Sequence, residues 1–266
     1  MSLRAGPEQP GLPHTDRRAL LATLSATLLI AGCSRPVLWS GGAPADLDQW
    51  SRHLVALKDQ LRHGSIDVLQ WQREVEQLNG NVPVEELVRY LDADRLTAGF
   101  AYDSALAETA DPVLSPEIVG AAGMRGWFIR IFGLRQGGAV IPHVHNGMVS
   151  SHLVINGSFH ARTHDRVEDL PDTVRLRATH DGVLRMGQVI SMSDRRDNQH
   201  WLVAQQDRSM TFDVGIVNVA PSWRYGHEAN EYHMIFVDPT VTPERDGTIL
   251  APIISFDQAA AKFAAG

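Results

Sequence analysis

The chain has 266 residues, 44% of them hydrophobic, enough to bury a full core in one domain with a small helical addition. Its formal net charge is −7 and the charges are mixed along the chain, which excludes both the basic surface of a nucleic-acid-binding protein and a long same-sign interaction tail. The only cysteine is Cys33, so there is no internal disulfide, and no thiol elsewhere for a nucleophile or a metal site.

Arg17-Arg18, followed by Leu20-Leu21, opens an apolar run that ends Leu29-Ile30-Ala31-Gly32-Cys33. A basic start, a short apolar stretch and small residues at its end predict a secretory signal over 1–32, too short for a comfortable transmembrane helix. The paired arginines resemble a twin-arginine signal, and Leu-Ile-Ala-Gly-Cys resembles a bacterial lipobox. Those resemblances imply an exported chain, lipid-anchored through Cys33 to the bacterial cell envelope and facing the periplasm. An ordinary secretory signal or a buried apolar helix is the plainer alternative. Residues 33–45, rich in Pro, Gly and Ser, read as a tether from lipid to domain.

Three helices are predicted within 46–125, a segment expected to pack on the outside of a sheet. Leu47, Trp50, Leu54, Leu57 and Leu61 recur at three- and four-residue steps. Ser65 is the expected cap of a second helix carrying Ile66, Leu69, Val75 and Leu78 and ended by Asn79-Gly80. Pro83, in a first-turn position, starts a third through Val84, Leu87, Val88 and Leu91. Trp50 and Trp71 read as core residues rather than ligand stackers, and His53 and His63 as helix-surface histidines.

From Gly126 the texture changes to short β-rich runs separated by turns: Trp127–Leu134, Val149–Ile155, Phe159–Thr163, Val174–Arg177, Gln188–Met192, Trp201–Val203, Met210–Val219 and Tyr232–Val237. Eight such runs predict an antiparallel sandwich or small barrel over 126–256. The Ala-rich end, 257–266, reads as a short helix or a frayed tail. No Gly-rich phosphate loop or dinucleotide-binding glycine motif is present.

One stretch within this region carries chemistry. His143-Val-His145, set in apolar sequence, puts two imidazoles on one face of a strand, because side chains alternate with period two. The turn signals Asn146-Gly147 and Asn156-Gly157 bound the apolar run that follows. Imidazole is a common ligand of Fe, Zn, Cu and Ni. An unmetallated His-rich strand is the alternative. His152 lies two residues after Ser150 and shares its face; it reads as a fourth ligand, a donor to a ligand or substrate, or a plain buried histidine. His160 and Arg162 share one face of the next strand, and His227, Glu231 and His233 form a later polar cluster that reads as rim.

The spacing Gly137, five residues, His143-x-His145, then Gly157 resembles the first motif of the cupin superfamily. That implies a mainly β fold, a cupin-type antiparallel small barrel (a double-stranded β-helix) with an N-terminal helical segment. Cupins place a Glu ligand on the following strand; the matching position here is Ser150. The closer resemblance is to the plant cysteine oxidase and cysteamine dioxygenase branch of the thiol dioxygenases, carried by Ile141-Pro142-His143-Val-His145-Asn-Gly147-Met148, Gly157-Ser-Phe-His160-Ala-Arg162, Asp165 and Asn198-Gln-His200-Trp201-Leu202. It covers Trp127 to Val219, about a third of the chain. It implies Fe(II), with Zn or another divalent ion competing, on His143, His145 and His200; a role near the substrate for Asp213, whose alternative is a buried Asp held by backbone donors; and a small or peptidyl thiol with O₂ as partners. His152 joins Asp213 as a catalytic candidate from its place on the face of Ser150. The family's Pro-Pro-Tyr is absent: the chain reads Gly215-Ile-Val-Asn-Val219, leaving Tyr225 or Tyr232 as the candidate tyrosine.

Overall fold

The computed structural model describes residues 46–120 and 123–264. The expected signal, Cys33 and the tether lie outside the described residues.

The N-terminal segment folds as a helical layer. Asp46 caps α1 (Leu47–Arg62) by accepting the Gln49 N–H. Gly64, left-handed at φ 68°, lets the Ser65 N–H reach the Gln60 carbonyl at 2.9 Å and close that helix. Ser65 therefore ends the first helix instead of starting the second. The cap of α2 (Val68–Gly80) is Asp67, which accepts the Gln70 N–H at 2.7 Å, and Ile66 lies outside the helix. Pro83 is the cap of α3 (Val84–Tyr90) rather than a first-turn residue. Then come α4 (Ala93–Leu96), a short strand β1 (Glu108–Ala110) and α5 (Pro116–Val119).

The β region comprises β2 (Trp127–Leu134), β3 (Ala139–His145), β4 (Met148–Asn156), β5 (Ser158–Leu170), β6 (Thr173–Arg185), β7 (Val189–Met192), β8 (Gln199–Ala204), β9 (Ser209–Val217), β10 (Met234–Phe236) and β11 (Ile249–Pro252), before α6 (Phe256–Phe263). Pairing is antiparallel and nested: β5 with β6, β4 with β7, β3 with β8, β2 with β9. A single eight-strand ribbon thus folds back at Pro171-Asp172 and rolls up, so that successive pairs fall alternately in two sheets. Their orders are β1-β2-β9-β4-β7 and β10-β3-β8-β5-β6-β11. This is the jelly-roll or double-stranded β-helix arrangement, a cupin-type fold, and mainly β as the sequence predicts.

The β5–β6 hairpin is much longer than the predicted runs, thirteen residues on each strand. Bulges at Thr163/His164 and Arg166/Glu168 carry the ladder through polar residues that show no apolar alternation.

Both faces of β4 are buried, and they hold different things. Val149 and Leu153 face the helices and pack with Trp50, Trp71, Leu78, Phe212 and Val214. Ser151, on that face, accepts from the Asn79 amide at 3.1 Å, and Asn79 in turn accepts the Trp50 indole N–H at 3.1 Å. The opposite face points into the barrel. There Val154 joins Leu134, Phe159, Ala161, Leu184, Leu202 and Ala204 in an apolar plug. Ser150 and His152 lie on the same face, where the filling becomes polar.

Candidate metal centre

Val140 faces the apolar plug opposite Leu202, so strict alternation along β3 would turn His143 outward. The ladder instead slips between Val140 and His143, with an extra residue at Ile141-Pro142. Proline, with no N–H to donate, suits such a bulge. His143 thereby returns to the interior directly opposite His200, and its Nδ1 meets the Ile141 carbonyl at 2.7 Å. That bond fixes a proton on Nδ1 and leaves Nε2 for the interior. Two residues on, His145 falls on the same face.

The three histidines converge. The ring centroids of His143 lie 4.5 Å from His145 and 4.3 Å from His200, and each residue offers a ring nitrogen within 4.8 Å of the others. Among the described residues this is the group that could hold a metal ion. All three are buried. Burial holds the His143 imidazole down to about 4 and those of His145 and His200 well below the usual value, with neighbouring imidazoles adding to the effect on all three. They are therefore neutral at pH 7, the form that binds a cation. Nδ1 of His145 and of His200 is buried with no hydrogen-bond partner. Unsatisfied imidazole nitrogens at the same centre fit a bound ion, which would satisfy one nitrogen of each ring.

Beside this cluster runs a second chain of buried polar groups. Ser150 Oγ lies 2.8 Å from His152 Nε2, and His152 Nδ1 lies 2.7 Å from Asp213 Oδ2. The His152 ring is 4.8 Å from that of His200. Both His152 nitrogens are engaged, so of the roles open to it the arrangement leaves the hydrogen-bonding one and not that of a fourth ligand. Asp213 is in register with His152 across β9, and its other oxygen, Oδ1, is buried without a partner. With a carboxylate accepting at Nδ1, the His152 proton sits there, and Nε2 takes the Ser150 hydroxyl proton.

The remaining candidates lie elsewhere. Thr163, not His160, pairs with His200; His160 faces out with Asp181 as its partner, and Arg162 stacks on the outer face of Trp201 at 4.4 Å. Tyr225 donates to Asp194 at 2.6 Å and accepts the Gly147 N–H, which commits its hydroxyl to the β3–β4 turn. Tyr232 and Glu231 are exposed, and His233 caps the Asn146 carbonyl at 3.1 Å. Asn198 enters the sequence motif only as a marker of His200, and the structure gives it a contact of its own. Its amide oxygen accepts the His145 N–H at 3.1 Å, and its NH₂ donates to the His145 carbonyl, also at 3.1 Å. An Asn two residues before His200 was visible in the sequence, but its reach to another strand was not.

A cavity of about 500 Å³ lies on the β6–β7 side of the barrel. It is lined by Thr163 and Ile190, cross-strand neighbours of His200 and His152, and by Asp165, His180, Arg196 and Asp197.

The sequence matches no protein-family model and no curated protein. Among solved structures the chain is similar to an 11S globulin from Wrightia tinctoria, at 14% identity and a TM-score of 0.32 over 42% of this chain and 25% of the globulin. It is similar to KdgF from Halomonas sp., at 14% identity and a TM-score of 0.30 over 42% of this chain and 78% of that one. A cupin superfamily protein from Desulfitobacterium hafniense gives 12% and 0.28, over 42% and 77%. The match thus spans about a quarter of the globulin's length. Likenesses this distant carry no argument about ligand or activity, and the fold assignment rests on the strand order.

Proposed function

We propose that the chain is a metal-dependent cupin that oxidises a small or peptidyl thiol to a sulfinate with O₂, using a non-haem Fe(II) ion. The observation that carries this reading is the donor set: three buried neutral imidazoles and, where a carboxylate ligand would stand, a serine whose hydroxyl is bonded to His152. A ligand set without negative charge leaves the full charge of the ion to an anionic thiolate. When bound, Fe(II) would supply the redox chemistry for RSH + O₂ → RSO₂H, in which both oxygen atoms end on sulfur and no further reductant is needed. His143, His145 and His200 would hold the ion. Asp213 fixes the tautomer of His152, and His152 turns the Ser150 hydroxyl so that its free lone pairs face the interior as an acceptor for the substrate.

A second reading is favoured by the depth of the centre, whose three histidines are at most 4% exposed. It is a cell-envelope cupin that holds a metal or small molecule without turning it over. Zinc on the same three imidazoles would instead make a hydrolase-type centre.

Metal analysis followed by an oxygen-electrode screen of thiols separates these readings. Iron-reconstituted protein should consume O₂ only with a thiol present, and mass spectrometry should find two added oxygens on the product. His200→Ala should abolish both iron and turnover, whereas Asp213→Asn should slow turnover with iron still bound. Fully iron-loaded protein inert toward cysteine-like, cysteamine-like and peptide thiols would overturn the dioxygenase reading in favour of the binding protein.

A further inference from the structure

Main-chain pairing between β3 and β8 reaches His143–His200 and stops there. Two steps further in that register, past Val144 and Gln199, His145 would face Asn198. In its place the Asn198 side chain acts as a short piece of neighbouring strand, its amide oxygen taking the His145 N–H and its NH₂ giving to the His145 carbonyl, both at 3.1 Å. A side-chain amide carries the same donor and acceptor as a peptide group, so it can substitute for one across a ladder. The Arg166 guanidinium also donates to the His145 carbonyl at 3.1 Å and to Asn146 Oδ1 at 2.7 Å, and is itself paired to Asp169.

Asn198 has its own support. Its NH₂ donates to the Ser193 carbonyl at 3.1 Å, and the Ser193 hydroxyl donates to Gln72 Oε1 at 2.6 Å. Gln72 belongs to α2, on the far side of the sheet from the barrel interior. Gln72, Ser193, Asn198 and His145 are each at most 1% exposed. A buried polar chain this complete lies where an apolar one would avoid the cost of desolvation, so it has a positional rather than a stabilising logic.

We propose that Asn198 is a positioning residue of the metal centre, fixing the backbone of His145 so that its imidazole is held ready for the ion, and that Gln72 extends this control to the helical layer. The proposal rests on the metal reading of the three histidines and goes beyond it by assigning residues that touch neither metal nor substrate. Groups that orient a ligand typically change metal affinity by about 10- to 100-fold when removed.

The test uses the purified full chain and Co(II) alone as probe, titrated against a competing chromophoric chelator with the visible d–d bands recorded. Asn198→Ala should weaken Co(II) binding by about 10- to 100-fold and alter the band pattern, as His145 loses its fixed direction. Asn198→Asp keeps the acceptor but turns an oxygen toward the His145 and Ser193 carbonyls in place of the donor, so it should weaken binding no less than Asn198→Ala. Gln72→Met keeps a similar volume but removes the bond to Ser193 together with the Gln72 donations to Ser191 Oγ at 3.2 Å and the Arg196 carbonyl at 3.5 Å; the bond to Ser193 is the one that bears on Asn198, so Co(II) binding should weaken roughly 2- to 10-fold, the worth of one ordinary hydrogen bond. Thermal melts of the metal-free proteins separate a folding effect from a positioning one. Should Asn198→Ala fail to fold, Asn198→Asp decides. Variants that fold and bind Co(II) with wild-type affinity and spectrum overturn the positioning role while leaving the metal centre standing. A wild type that takes up no Co(II) overturns the metal reading and this proposal with it.

Discussion

A histidine's role is set by which of its nitrogens is already engaged. His143 gives Nδ1–H to a backbone carbonyl and keeps Nε2, whereas His152 has a partner on both sides and belongs to a hydrogen-bonded row. A similar reasoning applies to Arg166 and Asp169, which join the β5 strand to the β3–β4 turn from a nearly dry position. Burial by itself would raise the Asp169 carboxyl; the Arg166 fork and the Gly226 N–H outweigh it and hold the group below its ordinary value of 3.8. A carboxyl lowered in the fold contributes stability above its unfolded pKa and loses that contribution as pH falls through the folded one. Asp169→Asn should therefore be less stable than wild type at pH 7 by about 3–5 kcal/mol, the usual result of removing one partner of a buried pair. The gap should close progressively below pH 4. Urea midpoints at pH 7, 5, 4 and 3 measure it, and a gap unchanged at pH 3 would refute the linkage.

At the scale of elements, the helices and the barrel wall they cover form one packed layer. The stripe Trp50, Leu54, Leu57 and Leu61 on α1 meets Ile129, Ile131, Phe212, Val214 and Ile216 from β2 and β9. Trp50 is central to it, with its ring 5.6 Å from Phe212 and its indole N–H on Asn79, which reaches on to β4. Trp50→Ala should lower unfolding free energy by about 3–5 kcal/mol. Tryptophan fluorescence and far-ultraviolet circular dichroism should lose their signals in one shared transition, because strands and helices bury the same side chains. Two separated transitions, the strands melting at the wild-type midpoint, would show instead that the helical layer is an independent unit.

For the molecule as a whole, the proposed reaction is tied to where the chain works. No helix among the described residues is long and apolar enough to cross a membrane. The proposed attachment is a diacylated Cys33, outside the described residues, whose paired chains would meet the two-signal requirement of a stable lipid anchor. Cys33→Ser should move the protein from the membrane fraction to the soluble periplasmic one, or leave the precursor uncleaved. Wild-type protein found free in the periplasm would dispose of the anchor.

The sequence by itself determined the texture of the fold and half of the centre. Apolar stripes at helical steps, short β-rich runs and turn glycines are local signals, and period-two alternation is enough to place His143 and His145 on one face. The same locality explains what stayed hidden. That His143 faces inward at all depends on the bulge at Ile141-Pro142, and a bulge is defined only against the partner strand. The ends of β5 and β6, the cap at Asp67 in place of Ser65, and the outward turn of His160 are likewise set by pairing and by chain reversal. The approach of His200 to His143 across 57 residues, the His152–Asp213 bond and the grip of Asn198 on His145 exist only because the ribbon rolls into a closed pair of sheets. Side-chain type is written in the chain, but which donor meets which acceptor is decided when distant strands are brought to one interior, where most buried polar groups find a protein partner.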